Sequence, residues 1–448
     1  MSQMPAASSQ TQGDLEATIE LALAEARRGG AEEAEAAVNV DQGLSVTVRL
    51  GEVETLEYQR DRGLGVTVYV GRRKGSATTA DLAPKSVAET VAKALSIARF
   101  TAADEFAGLP DRDSIARDVP DLDLSHPWDV DAEGAIELAK ACEAAALAAD
   151  PRINNSEGGS VGTHRALRVY GNSLGFVGGF PHTSHSVSCV VLGQQGEDMQ
   201  RDYWYTTARD WRELDPVEAV GRRAAERTVG RLGAVKLSTR RAPVLFAPDL
   251  ARGLVGHFVA AIRGSAQYRR SSFLLDVAGQ RIFPEWLSMH ERPHLRKGLA
   301  SAAFDSEGVA TQDRDLVVNG VVTGYVLDSY GARKLGLRTT GNAGGLHNLL
   351  VVPGPEDQAA LLARMGRGLL ITELMGQGVN TVTGDYSRGA AGFWVENGTI
   401  QHPVHEITIA GNLREMYRGI AAVGNDVDRR GGIRTGSLLI DEMTIAGD

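Results

Sequence analysis

The run His290-Glu291-Arg292-Pro293-His294 has the letters of the H-E-x-x-H zinc-protease motif. In that motif two imidazoles one helical turn apart bind the metal and the glutamate serves the metal-bound water, so the chemistry needs an unbroken helix. Pro293 removes a backbone donor, collides with the preceding turn and pushes Arg292 out of helical geometry. The spacing therefore predicts an exposed loop whose histidines bond water. His182 with His185, and His402 with His405 beside Glu406, form H-x-x-H pairs. On strands, positions three apart face opposite ways, so neither pair can close on one ion, and both read as cross-strand polar residues. The glycine-rich Thr339-Thr340-Gly341-Asn342-Ala343-Gly344-Gly345 has no following Lys-Ser/Thr and leads into a strand, which argues against a phosphate loop. Its glycines suit positive φ, or the close approach of another backbone, a bound peptide's included. No G-x-S-x-G elbow marks a serine nucleophile. Cys142 and Cys189 have no metal spacing and read as inert buried thiols of a reducing compartment.

The elements that must position these residues follow from length and pattern. A chain of 448 residues, with 43% apolar and 23% charged side chains, has the make-up of a globular protein of two or three domains. A net charge of −10 disfavours phosphate backbones, so nucleic acid is not an expected partner. The first dozen residues are small and polar without an apolar core, which predicts a frayed end and not a signal peptide. No run approaches the ~20 apolar residues that cross a bilayer, and a cytoplasmic location is expected.

Helical spacing over residues 15–28 is followed by short β-prone runs separated by Asp-Gln-Gly, Gly-Glu and Asp-Arg-Gly, then by a helix over 86–99. Residues 101–130 carry no periodicity and read as a linker over the surface. A helix over 131–150 and a second set of strands repeat the scheme, suggesting a duplicated α+β unit. Beyond residue 237, a strand over 241–246, a helix over 249–263 and Asn-Gly hairpins at Asn319-Gly320 and Asn397-Gly398 predict a large, mostly antiparallel sheet or partial β-barrel. The fold class is α+β, with domains at 1–110, 111–236 and 237–448.

The C-terminal runs resemble a known family. They are Ser329-Tyr330-Gly331-Ala332-Arg333-Lys334-Leu335-Gly336, Thr340-Gly341-Asn342-Ala343-Gly344-Gly345, Glu373-Leu374-Met375-Gly376-Gln377-Gly378-Val379-Asn380 and Thr383-Gly384-Asp385-Tyr386-Ser387-Arg388-Gly389-Ala390, followed by Gly411-Asn412 and Gly424-Asn425-Asp426. Together they are similar to the PmbA/TldD proteins, long labelled modulators of DNA gyrase and treated as metallopeptidases. Within that family TldD-type members carry an H-E-x-x-x-H metal motif and a C-terminal cysteine ligand, and PmbA/TldE-type members lack them. The matching helix here spans about 253–264. His257 stands at the first histidine, Phe258 at the glutamate and Ile262 at the second histidine, while Arg434-Thr435-Gly436-Ser437 holds no cysteine.

The resemblance implies a PmbA/TldE-type subunit without zinc or catalytic residues of its own, paired with a TldD-type zinc subunit and handling unstructured peptides. Linked roles are maturation of peptide natural products and removal of an antitoxin. On this reading Gly341, Asn342, Gly344 and Gly345, with Gly376, Gln377, Gly378, Asp385 and Arg388, line the substrate cavity or the subunit interface, and His257 is a vestige of the metal site. The alternatives are a metallopeptidase active on its own, through His257 or residues 290–294, and a noncatalytic binding adaptor.

Overall fold

The computed structural model describes residues 11–447. The polar start read as frayed lies outside them save its last two residues. Thr11 caps the first helix: its hydroxyl accepts Asp14 N, and the Asp14 carboxylate accepts Thr11 N.

The order α1 (Gln12–Arg28), β1 (Glu33–Arg49), β2 (Glu52–Val70), β3 (Arg73–Thr79), α2 (Pro84–Phe100) recurs as α3 (Ala132–Leu147), β4 (Ile153–Asn172), β5 (Val177–Gln195), β6 (Asp198–Ala208), α4 (Val217–Gly230). All six strands join one antiparallel sheet, β3-β2-β1-β4-β5-β6, with β1 and β4 at its centre. Alternation in β1 fixes where the helices lie. Ala34, Ala36 and Val38 are buried with α1 and α2, and Leu44, Val46 and Val48 with α3 and α4. All six point the same way, so both helix pairs cover one face of the sheet.

Two expected turns are absent. Asp41-Gln42-Gly43 and Asp61-Arg62-Gly63 lie inside β1 and β2, because partners on both sides of β1 hold it extended: Gln42 is in register with Arg60 and Arg165. The chain reverses at Leu50-Gly51, where the Gly-Glu turn was expected, and at Gly71-Arg72, and all four φ angles are positive. The Glu143 carboxylate of α3 accepts Leu50 N and Gly51 N at 2.8 and 2.9 Å, fixing the first of these turns.

The stretch from 101 to 130 runs over the surface as expected, but it is tied down along its length. Apart from a single 3₁₀ turn at Arg112–Ser114 it is irregular, yet Ala107, Leu109, Ala116, Leu122 and Leu124 are buried. It fills the joint between the sheet and the C-terminal half, which offers those side chains a second surface. Tyr330 donates to Asp104 at 2.7 Å, and Arg333 donates to the carbonyls of Gly108 and Leu109 at 2.9 and 3.0 Å.

The C-terminal half runs β7 (Arg240–Phe246), α5 (Pro248–Ala261), α6 (Gly264–Tyr268), β8 (Met289–Glu291), β9 (Arg314–Val318), β10 (Val321–Val322), α7 (Ser329–Lys334), β11 (Leu349–Val351), α8 (Gln358–Met365) and β12 (Gly368–Met375). It ends with β13 (Asp385–Glu396), β14 (Thr399–Asn412), α9 (Leu413–Arg418), β15 (Ile420–Val423), β16 (Ile433–Arg434) and β17 (Leu438–Ala446). Strands β14-β13-β12-β7-β17 close into a ring because β17 pairs back to β14, and β15 extends β17 outside it. One face of these strands joins α5 in the largest apolar cluster, and the other, with Leu245, Leu370 and Leu439, is covered by α8. A second sheet, β10-β9-β8-β11-β16, flanks the ring. The Asn-Gly hairpins form as expected, with φ of 50° and 77° at Asn319-Gly320 and 51° and 72° at Asn397-Gly398. Among the described residues no helix is long and apolar enough to cross a membrane.

Candidate functional site

Helix α5 begins with Pro248 in its first turn and turns one face into the core. Phe258 and Ile262 are fully buried there, Phe258 edge-on to Phe283 and Tyr417. The positions that the resemblance would give to a glutamate and a histidine are therefore core positions. The opposite face carries Gly253, Gly256, His257 and Ala260 toward solvent. His257 is half-buried, and its ring meets Tyr386 of β13 at 6.2 Å, nearly perpendicular. Burial, and after it the Arg388 guanidinium, lower its pKa, so the imidazole is neutral at pH 7.

Tyr386 and Arg388 share a face of β13, two residues apart. Burial pushes the Tyr386 phenol up to about 12. Arg388 donates Nε to Met375 O at 3.2 Å and joins no ion pair among the described residues. Asp385 faces the other way, accepting Thr383 Oγ1 at 2.6 Å and Asn412 Nδ2 at 3.3 Å, so it holds a turn. Gln377 is exposed. Gly376 has φ of 77°, and Gly378 lies against β13, where Ser387 N donates to Gly378 O at 2.7 Å.

The 341–345 loop sits elsewhere along α5. Gly341, Gly344 and Gly345 have φ of 70°, 100° and 132°, angles that a side chain resists. A Cβ on Gly341 would stand 2.7 Å from Ala310 O, and one on Gly345 3.5 Å from Arg263, just past the end of α5. Asn342 is buried, donating to Glu291 Oε1 at 2.8 Å and Gly345 O at 3.1 Å. No hydrogen bond among the described residues joins this loop to 376–389. The 376–389 segment meets α5 at His257 through Tyr386, whereas the 341–345 loop nears Arg263, beyond the end of the helix.

Asp305 anchors the same loop, accepting Ala343 N at 2.9 Å together with Glu307 N and Val309 N. Burial, aided by Glu307, lifts its pKa from 3.8 to about 7 despite those three donors. A carboxyl raised in the folded state binds a proton that the unfolded chain releases, so its contribution is complete below pH 3.8 and is lost as pH rises to 7. Between pH 5 and 7 this costs at most about 2 to 3 kcal/mol. Asp305→Asn should flatten that slope in urea titrations; a variant that keeps the wild-type slope would assign the proton to another group.

Residues 290–294 are only in part the exposed loop expected of them: Arg292, Pro293 and His294 leave the strand in a turn, with His294 exposed. The first two lie in strand β8, and Glu291 is 1% exposed. His290 Nδ1 pairs with Asp315 at 2.6 Å, and His294 Nε2 with Thr311 Oγ1 at 3.0 Å, so the two imidazoles face different partners. Glu291 receives Asn342 Nδ2, His347 N and Arg314 Nε, the last two at 2.8 and 2.5 Å. His182 and His185 lie on opposite faces of β5. Burial drives His182 down to about 4, and His185 bonds Thr163 Oγ1 and His126 O. On β14, His402 Nδ1 lies 3.3 Å from Pro403 O, and Glu406 at a bulge pairs with Lys236.

Models of the PmbA/TldA metallopeptidase domain 1, central domain and C-terminal domain match residues 34–98, 125–232 and 239–447. The chain belongs to the PmbA/TldD metallopeptidase family. It is 52% identical to the metalloprotease PmbA of Escherichia coli O157:H7 and 49% identical to a PmbA homologue of Haemophilus influenzae, each over 97% of this chain and 96% of the relative. Its fold superposes on a candidate modulator of DNA gyrase from Bacteroides thetaiotaomicron with a TM-score of 0.93, 29% identity and coverage of 98% of this chain and 100% of that one. TldE of Thermococcus kodakarensis shares the fold, with a TM-score of 0.85 at 22% identity over 96% and 99% of the two chains.

Membership in a metallopeptidase family implies a metal. The side chains gathered at His257 do not fit one: a single imidazole stands with a phenol and a guanidinium, and the guanidinium repels a cation. Among the described residues no three His, Cys, Asp or Glu side chains are placed so that they could hold a metal ion, and both thiols are buried in the N-terminal half. Two residues that matter here are not among the site residues expected from the sequence. Tyr386 was detectable as the strand neighbour of Arg388 two positions away. Nothing in the local sequence marks Glu291 as the anchor of the glycine loop.

Proposed function

We propose that this chain is the PmbA/TldE-type, zinc-free subunit of a cytoplasmic two-chain peptidase, in which a TldD-type partner carries the zinc and this subunit walls the cavity for unstructured peptides. The observation that carries the reading is that Phe258 and Ile262, at the positions the resemblance gives to a glutamate and a histidine, are core residues, which leaves His257 a lone imidazole beside the Arg388 guanidinium. High identity to PmbA proteins along almost the whole chain supports it. On this reading residues 341–345 and 376–389 contribute shape and polar contacts, and no bond-breaking step uses a side chain of this subunit.

The test is reconstitution. The purified chain should hold no stoichiometric zinc by elemental analysis and leave an unstructured peptide intact. Mixed with a TldD-type protein, it should yield a complex that cleaves that peptide faster than either component alone. Zinc at one per chain with cleavage by this chain alone would overturn the proposal.

A further inference from the structure

Beside α5 the chain gathers hydrogen-bond donors and a positive charge that no acid among the described residues receives. Tyr386 is 2% exposed, and its hydroxyl has no hydrogen-bond partner among the described residues. A buried hydroxyl left unpaired costs roughly 1 to 3 kcal/mol, so such groups have a partner in the working molecule. His257, against the Tyr386 ring, has no hydrogen bond on either ring nitrogen among the described residues, and a neutral imidazole offers one N–H. Arg388, on the same strand face as Tyr386, uses only Nε, toward Met375 O, which leaves both terminal nitrogens of its fork unbonded. The one carboxylate next to it in sequence, Asp385, is turned away and engaged by Thr383 and Asn412. His257 and Arg388 are each partly exposed, and Tyr386 is buried beside them.

We propose that Arg388, Tyr386 and His257 form a carboxylate receptor, and that its ligand is the C-terminal carboxylate of an unstructured peptide. A guanidinium fork matches the two oxygens of a carboxylate, and a charge-assisted bond of this type is about twice as strong as a neutral one. A neutral phenol and a neutral imidazole add donors without a competing negative charge. The peptide as the source of the carboxylate rests on the function proposed above. The receptor gives that function a polarity, because a chain end, and not a mid-chain segment, is seated beside α5.

The probe is an unstructured ten-residue peptide of Ala, Gly and Ser with an N-terminal fluorophore, made with a free C-terminal carboxylate and as the C-terminal amide. Binding to the full chain is read by fluorescence polarisation. The free acid should bind about tenfold tighter than the amide, as one charge-assisted contact predicts. Arg388→Gln should bring the two within about twofold without moving the melting temperature, since it removes a single backbone bond; Tyr386→Phe should narrow the gap and keep the fold. Acetate should compete with the acid peptide. Equal binding of acid and amide would overturn the receptor and leave water as the phenol's partner. Competition by inorganic phosphate stronger than by acetate would overturn it in favour of a phosphate site. The same peptide pair in the reconstituted cleavage assay separates the two proposals. Equal cutting of acid and amide defeats the receptor alone, and acid-selective binding with no cutting of either defeats the two-subunit reading alone.

Discussion

Glu291→Ala should lower the stability of the chain by about 3 to 5 kcal/mol, the usual cost of stripping one partner from a buried ion pair. Glu291 is 1% exposed, and its two oxygens receive Arg314 Nε, Asn342 Nδ2 and His347 N. Removing it leaves a guanidinium with side-chain exposure of only 17%, an amide and a backbone N–H without their acceptor. Both Asn342 and His347 belong to the segment carrying the glycine loop, so the loss should be local as well as global. In urea titrations the midpoint should fall, and amide exchange should speed up first over 341–347. A midpoint shift equivalent to less than about 1 kcal/mol would mean that water replaces the carboxylate and that the loop holds itself.

Gly378→Ala should be the most damaging single methyl in the 376–389 segment. The added Cβ would stand 1.9 Å from Ser387 O, a backbone atom of β13 that cannot swing aside. Relief requires moving residues 376–380 off β13, which breaks the 2.7 Å bond from Ser387 N to Gly378 O and disturbs the 2.8 Å bond from Asn380 N to Asp385 O. Overpacking of this kind costs about 1 to 3 kcal/mol, and the upper end is expected here because backbone bonds go with it. Gly376→Ala is the control. That glycine has φ of 77° with open space around its Cβ position, so only left-handed strain remains, about 1 kcal/mol. Melting curves in which Gly376→Ala is the less stable of the two would reverse the roles assigned to these glycines. Gly378→Ala should also weaken peptide binding, because Met375, whose carbonyl receives Arg388, precedes the displaced segment.

Much of the scaffold was legible wherever the deciding forces act within a few residues. Asn319-Gly320 and Asn397-Gly398 reverse the chain as expected because their positive φ angles are a property of the pair itself. The apolar spacing that predicts the first helix is met by burial of Leu15, Ile19 and Ala26. Asp41-Gln42-Gly43 has the same kind of letters and makes no turn, since β2 and β4 flank β1 with ladder partners that the local sequence does not reveal.

What the sequence settled alone is the repeat of helix and antiparallel strands in the N-terminal half, the α+β class and, through the runs between Ser329 and Asp426, a resemblance that the family match turned into membership. Its spacing also argued against a helix at Pro293, since a missing N–H and a steric clash are covalent facts. Only the folded chain decided that Glu291 is an anchor, that Asp305 holds a proton near neutrality, and that Tyr386, Arg388 and His257 meet with no acid among them. These are matters of burial and of distance between residues up to 131 positions apart. Solvation and long-range proximity arise from packing, so they have no local signature in the sequence.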